Sequence, residues 1–320
     1  MVSPGMVRPG IYCGGILQIW VTRACDRACV HCTQGSNLRG RPGMISVDQF
    51  EQALQSLEGY FGVIGVFGGN PAIHPEFEEL CRLMRQYVPF ERRGLWCNNP
   101  LGKGAVMRKT FNPHHSNINV HCDREAFEEF RRDWPECFPF GLAEDSRHGP
   151  CYVAMIDVLP DEEKRLELIS QCDINQRWSA LVGVFRGEVK GWFCEIAAAQ
   201  SMLHQYEEDY PDTGLDVTKT YTHPQTGEAC KWWQLPMQSF VHQLRLHCHE
   251  CGVPLRGVGA LANDPHAIEQ VSPAHQSIYR PKDKTRQVEV ITSLEQLGGS
   301  LRSAIDYVGN ATRPIKDICQ

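Results

Sequence analysis

The 320-residue sequence predicts an α/β protein in which parallel βαβ units are followed by a smaller α+β module. Two observations carry this. Between residues 16 and 171, short apolar strands alternate with amphipathic helices. Beyond residue 171 the alternation stops, and a hairpin-like stretch, two helices and a Cys-x-x-Cys pair follow.

Residues 16–22 (ILQIWVT), rich in β-branched and aromatic side chains, predict a buried strand that runs straight into Cys25. Ser46 predicts the N-cap of a helix over 47–57. A second strand at 63–67 (VIGVF) ends in Gly68-Gly69. Residues 75–87 form an amphipathic helix with Pro75 near its first turn and Phe77, Leu80, Leu83, Met84 and Tyr87 on one side. Strands at 94–98 and 118–121, a helix over 124–132, a fifth strand at 152–158 (YVAMIDV) and a helix over 161–171 continue the series. Parallel βαβ units place functional residues at the carboxyl ends of strands, where both the Cys25 loop and the Gly68-Gly69 turn fall. The later segment reads as a hairpin over 178–193, helices over 195–206 and 236–246, a weak strand at 288–291 and a helical tail near 300–308. The expected units are therefore 1–170, 171–257 and an unplaced extension, 258–320.

Composition narrows the class. At 42% hydrophobic the chain can bury a large core. No run of about 18 apolar residues is present and the start, MVSPGMVRPGIYCGG, lacks the pattern of a signal peptide, so the expectation is a cytoplasmic protein without a membrane partner. A net charge of -6 and a pI near 6.1 provide no basic field for a nucleic acid, and favour a small molecule or peptide. Fifteen cysteines, several clustered at short spacings, read as metal ligands or buried thiols rather than disulfides.

Cys25, Cys29 and Cys32 place three thiolates on one loop, enough for three corners of a cubane cluster, with the fourth iron left open. An open coordination position marks a catalytic metal centre, whereas structural zinc normally closes its tetrahedron with a fourth Cys or His. His31 is poorly placed to be that fourth ligand. In the second module Cys172, Cys194, Cys248 and Cys251 stand out, with Cys230 a competitor for the first or second position. The Cys248-x-x-Cys251 pair alone fits redox, zinc-binding or inert roles.

The segment CDRACVHC (residues 25–32) resembles the C-x3-C-x2-C signature of the radical S-adenosylmethionine (SAM) superfamily. The resemblance implies a partial (β/α)6 TIM-like barrel, a 4Fe-4S cluster on Cys25, Cys29 and Cys32, and SAM chelated at the open iron. It also implies reductive cleavage to a 5'-deoxyadenosyl radical, with electrons from a reductant such as flavodoxin or ferredoxin. His31 matches a position that often carries an aromatic residue near the adenine. Gly68-Gly69-Asn70-Pro71 resembles the family's G-G-E-P motif, which contacts the amino group of SAM. Here Asn70 replaces the usual Glu, so an amide oxygen without full charge takes its place. The order Cys172, Cys194, Cys248, Cys251 resembles the twitch domain, a shortened relative of SPASM, which implies a second, auxiliary 4Fe-4S cluster held by these four residues.

The function expected is a radical SAM oxidoreductase that abstracts a hydrogen atom from a small polar substrate, sugar-like or aminocyclitol-like, and oxidises or epimerises it. A peptide-modifying maturase and a non-enzymatic zinc-binding interaction protein are the alternatives. Glu195 and His121 are candidate general bases, and neither is assigned. Cys13, Cys81, Cys97, Cys122, Cys137, Cys151 and Cys319 read as small buried hydrophobes.

Overall fold

The structure, a computed structural model, describes residues 15–40, 43–170, 172, 180–255 and 259–297. Cys13, Cys319 and the tail expected at 300–308 lie outside the described residues.

Strand β1 (Ile16–Thr22) is buried along nearly its whole length, the pattern of a strand covered on both faces. It pairs in parallel with β2 (Val63–Gly68), β2 with β3 (Arg93–Cys97), and β3 with the two-residue β4 (Asn117–Ile118). Helices α1 (Val47–Ser56), α2 (Phe77–Tyr87), α3 (Gly104–Thr110) and α4 (Arg124–Asp133) connect and follow these strands. The expected cap is present: Ser46 Oγ accepts from Gln49 N at 3.1 Å, and Gln49 Oε1 accepts from Ser46 N at 3.0 Å. On α2, Phe77, Leu80, Leu83 and Met84 are at most 1% exposed, and burying each contributes about 1.5–3 kcal/mol. Packing of that stripe, more than helix propensity, holds α2 against the sheet.

One expectation is corrected. Residues 152–158 do not form a fifth strand. After β5 (Arg147–His148) the chain turns and makes a short helix, α5 (Met155–Val158), before α6 (Glu162–Ser170). The backbone there is committed elsewhere: Ala154 N donates to Ser272 Oγ at 2.8 Å and Ile156 N to His249 O at 2.9 Å. A short apolar run has the same appearance in a buried strand and a buried turn, and the partner decides.

The hairpin expected over 178–193 is built onto the main sheet. Strands β6 (Ala180–Phe185) and β7 (Glu188–Trp192) extend the main sheet, with β6 parallel to β1 through Leu17↔Ala180, Gln18↔Leu181 and Ile19↔Val182. With β8 (Leu215–Asp216) the seven-stranded order is β4-β3-β2-β1-β6-β7-β8, so the sheet continues past residue 171. This is an α/β fold with a mostly parallel central sheet, as expected. Helix α7 (Glu195–His204) follows β7 and packs against β6.

The C-terminal segment forms a strap over the cysteine loop. Strands β9 (Tyr221–Thr222) and β10 (Ala229–Cys230) pair with each other, then β11 (Ala260–Leu261) pairs with β5. Ala262 O accepts from Val30 N at 2.8 Å, Asn37 O from Lys282 N and Arg280 O from Arg39 N, both at 2.6 Å. Further along, β12 (Glu269–Val271) pairs in parallel with β13 (Val288–Val290).

Candidate active site

The carboxyl ends of β1, β2 and β3 open onto a cavity of about 690 Å³ bordered by Cys25, Cys29 and Cys32 together with Gly68, Gly69, Asn98 and His121. The loop after β1 closes on itself as Ala24 N donates to Thr22 Oγ1 at 3.0 Å. Burial, then the neighbouring thiols, push the Cys25 thiol up to about 12 and the Cys29 thiol up as well. As ligands these thiols would have to give up their protons, so metal binding there would be coupled to proton release.

The glycine turn is sterically required. A Cβ on Gly68 would lie 2.3 Å from Thr22 O, and one on Gly69 would lie 2.3 Å from Ala24 O. The same close approach lets Gly69 N donate to Thr22 O at 2.7 Å and Asn70 N to Ala24 O at 2.8 Å, pinning the turn to the cysteine loop. Asn70 itself is fully buried, and its amide oxygen accepts from Ala72 N at 3.1 Å. Neither Asn70 nor Pro71, both expected at the cofactor, lines the cavity itself. Asn70 Nδ2 instead donates to Asp26 at 3.0 Å, and Asn98 and Asn99 donate to the same carboxylate. Burial raises Asp26, but the hydrogen bonds from Asn98 and Asn70 outweigh it and leave the carboxyl below its ordinary value.

His31, also expected near the cofactor, lies on the cysteine loop. Its ring is buried, with Nε2 accepting from Gln270 N and Nδ1 facing His148 O, both at 3.3 Å, and it does not border the cavity. Both nitrogens are used in tying the cysteine loop to β5 and β12. Beside it, the fully buried Glu269 carboxylate accepts from Asn37 Nδ2 at 2.8 Å, His31 N at 3.3 Å and Tyr279 OH. This carboxylate joins the strap to the loop.

Of the two candidate bases, His121 borders the cavity and Glu195 does not. His121 Nδ1 lies 2.8 Å from Asp145 Oδ1, and Asp145 also accepts from Ser146 N at 2.8 Å and Asn263 N at 2.7 Å. A carboxylate can only accept, so Nδ1 carries the proton and Nε2 is left with its lone pair. Glu195 sits against β1 in the core, where burial raises its carboxyl to about 8.

A second cavity, about 330 Å³, is bordered by Cys172, Cys194, Cys248 and Cys251 among apolar side chains including Ile169, Phe193, Ile196 and Val253. The four cysteines expected to act together thus surround one space, while Cys230 does not border it. Burial, followed by the other cysteines of the set, raises the Cys194 and Cys251 thiols far above their ordinary value. Among the described residues, no group of three or more His, Cys, Asp or Glu side chains is arranged to hold a single metal ion. The two cysteine sets are linked through buried Cys151, whose Sγ lies 3.6 Å from His31 O and 3.8 Å from Cys32 O and whose carbonyl accepts from Gly252 N at 3.4 Å.

Residues 19–132 match the family described as the Radical SAM superfamily. That segment is similar to a radical SAM domain. That family implies a 4Fe-4S cluster and SAM, and the first cavity fits them. Ser36 Oγ and both amide atoms of Gln34 border it buried and without a protein partner, as the walls of a site for a polar molecule would be. Among solved structures, the chain is similar to BtrN in complex with AdoMet and 2-DOIA, at 14% identity and a TM-score of 0.40 over 61% of this chain and 82% of that one. It is also similar to SuiB of Streptococcus suis bound to the precursor peptide SuiA, at 16% identity and a TM-score of 0.28 over 35% of this chain and 26% of that one. No curated protein sequence matches. No described helix is long and apolar enough to cross a membrane.

Proposed function

We propose that this protein is a radical SAM oxidoreductase that removes hydrogen from a carbinol carbon of a small polar substrate, with Cys25, Cys29 and Cys32 holding the SAM-binding cluster and Cys172, Cys194, Cys248 and Cys251 an auxiliary 4Fe-4S cluster. The observation that carries it is that His121, with its Asp145 partner, borders the same cavity as the three cysteines. When bound, the clusters and SAM would supply the radical chemistry that removes a hydrogen atom from carbon, and an acceptor for the one electron left when the adjoining hydroxyl loses its proton.

The chain's own residues do the rest. His121 Nε2 receives the hydroxyl proton, and Asp145 fixes the tautomer and stabilises the imidazolium that forms. Loss of one hydrogen atom, one proton and one electron converts the alcohol to a carbonyl. Arg27, paired with Asp123 at 2.6 Å and donating to His121 O at 3.4 Å, holds the His121 backbone at the cavity wall. Apolar walls around the second cysteine set keep water from the auxiliary group and thereby tune its potential.

The test is incubation of the anaerobically prepared enzyme with candidate polyols and aminocyclitols deuterated at the carbinol carbon. Deuterium in 5'-deoxyadenosine with formation of the ketone supports the reading. Deuterium transfer only from a peptide substrate contradicts it.

A further inference from the structure

His121 does not stand alone in the cavity wall. The ring of His148, on β5, borders the same cavity and meets His121 edge-on, with ring centres 5.8 Å apart. His148 Nδ1 lies 3.0 Å from Val30 O. A carbonyl only accepts, so Nδ1 carries the proton and Nε2, on the far side of the ring, keeps its lone pair. Among the described residues that lone pair has no hydrogen-bond partner. Burial, then the neighbouring His121, hold the His148 ring down at about 4, so it is neutral near pH 7.

The two histidines are therefore alike. Each is anchored through Nδ1, one to Asp145 at 2.8 Å and the other to the cysteine loop, and each leaves Nε2 as an acceptor. Only the His121 acceptor is used in taking a hydroxyl proton. A second acceptor beside it calls for a second donor on the substrate, because a desolvated acceptor left unpaired costs free energy. Hydroxyls on adjacent carbons stand closer together than the two rings, so each ring can reach one of them. Asp145 and Asp123, the carboxylates behind this wall, are already engaged with His121 and Arg27, and Arg27 itself borders the cavity. An ammonium there would face a guanidinium, so the second donor is a neutral hydroxyl. The rest of the cavity also suits a ligand with several polar groups. Gln34, 3% exposed, and Ser36, 2% exposed, border it with both amide atoms and the hydroxyl unpartnered.

We propose that His148 is the specificity-determining residue of this site, its Nε2 accepting from the hydroxyl next to the one that His121 deprotonates, which makes the substrate a vicinal diol. The proposal rests on the oxidoreductase reading of the first cavity and narrows its substrate class. An isolated alcohol satisfies His121 and leaves His148 unpaired.

The experiment measures binding of cis-cyclohexane-1,2-diol, cyclohexanol and cis-2-aminocyclohexanol to the full chain with clusters reconstituted and SAM present, the clusters kept oxidised so that no turnover occurs. Reduction then gives kcat/KM for ketone formation from each. The wild type is expected to bind the diol about tenfold or more tighter than cyclohexanol, the effect of leaving one desolvated acceptor unpaired, and tighter than the amino alcohol, with kcat/KM in the same order. In His148→Asn (H148N) the side-chain amide still donates to Val30 O in place of Nδ1, while the Nε2 acceptor is gone. This variant is expected to bind the diol as weakly as cyclohexanol and to keep its affinity for SAM. Equal wild-type affinity for the diol and cyclohexanol overturns the proposal, as does tightest binding of the amino alcohol. An H148N that keeps the preference, weakens both alcohols alike or loses SAM also overturns it. If H148N fails to assemble its clusters, as iron content reports, His148→Gln, which carries an amide acceptor toward the position of Nε2, must retain the preference, and its loss overturns the proposal. A wild type that shows the preference in binding but oxidises no alcohol refutes the oxidoreductase reading, and this proposal with it, through a separate observable.

Discussion

The imidazole Nδ1 of His121 lies 2.8 Å from Oδ1 of Asp145, across the wall of the cavity that the three N-terminal cysteines border. The two residues come from loops that follow β4 and precede β5, and Asn263 ties them together by donating from its backbone N to Asp145 at 2.7 Å and from its side chain to His121 O at 2.6 Å. Replacing His121 with Gln is expected to lower product formation by about 10²–10⁴-fold while 5'-deoxyadenosine is still made. Comparing the two yields in one reaction checks this. A parallel loss of both would place His121 in cofactor binding instead.

The pH profile follows from the same pair. Burial holds His121 below its ordinary 6.5, opposed by the hydrogen bond and charge of Asp145, with Arg27 and Asp26 acting at longer range and the buried His148 ring edge-on at 5.8 Å. The base works only when neutral. Product formation should therefore be level at neutral pH and fall as pH drops through a midpoint below 6.5, and this acid limb should be absent from His121→Gln. Steady-state rates across that range measure it.

Replacing Cys248 and Cys251 together should lower iron from about eight to about four per chain, since both border the same cavity. Abortive cleavage of SAM is expected to continue in that variant, and product to be lost. Iron and sulfide analysis of the anaerobic protein decides the matter, and a full iron complement would exclude these two as ligands.

Glu269 joins the strap to the cysteine loop at a fully buried point. Its loss in Glu269→Ala strands Asn37, Tyr279 and the His31 N–H, together with Arg286 at 4.0 Å, and should destabilise the protein by about 3–5 kcal/mol. Glu269→Gln, which keeps one acceptor, should lie between the two. Denaturant unfolding of the three proteins provides the comparison.

Much of this was legible in the sequence where local pattern and chemistry agreed. The alternation through β1, β2 and β3, the Ser46 cap and the apolar stripe of α2 all follow from residues close together in the chain. Chelate spacing singles out Cys248 and Cys251, whereas Cys172 and Cys194, far away in the chain, were grouped with them only through the resemblance to the twitch domain. The fifth strand was misread because YVAMIDV has no periodicity of its own, and Ser272 and His249 determine its backbone. The strap escaped notice for a related reason: its contacts with Val30, Asn37 and Arg39 are made by backbone groups, which leave no mark on side-chain composition.

The central claim is that Cys25, Cys29 and Cys32 hold a 4Fe-4S cluster with one iron open to SAM, and electron paramagnetic resonance of the reduced, anaerobic protein tests it directly. The account predicts a cluster signal that changes when SAM is added and that is lost in Cys29→Ala, with any auxiliary signal left in place. A protein with no such signal, or one whose signal is indifferent to SAM, would contradict it.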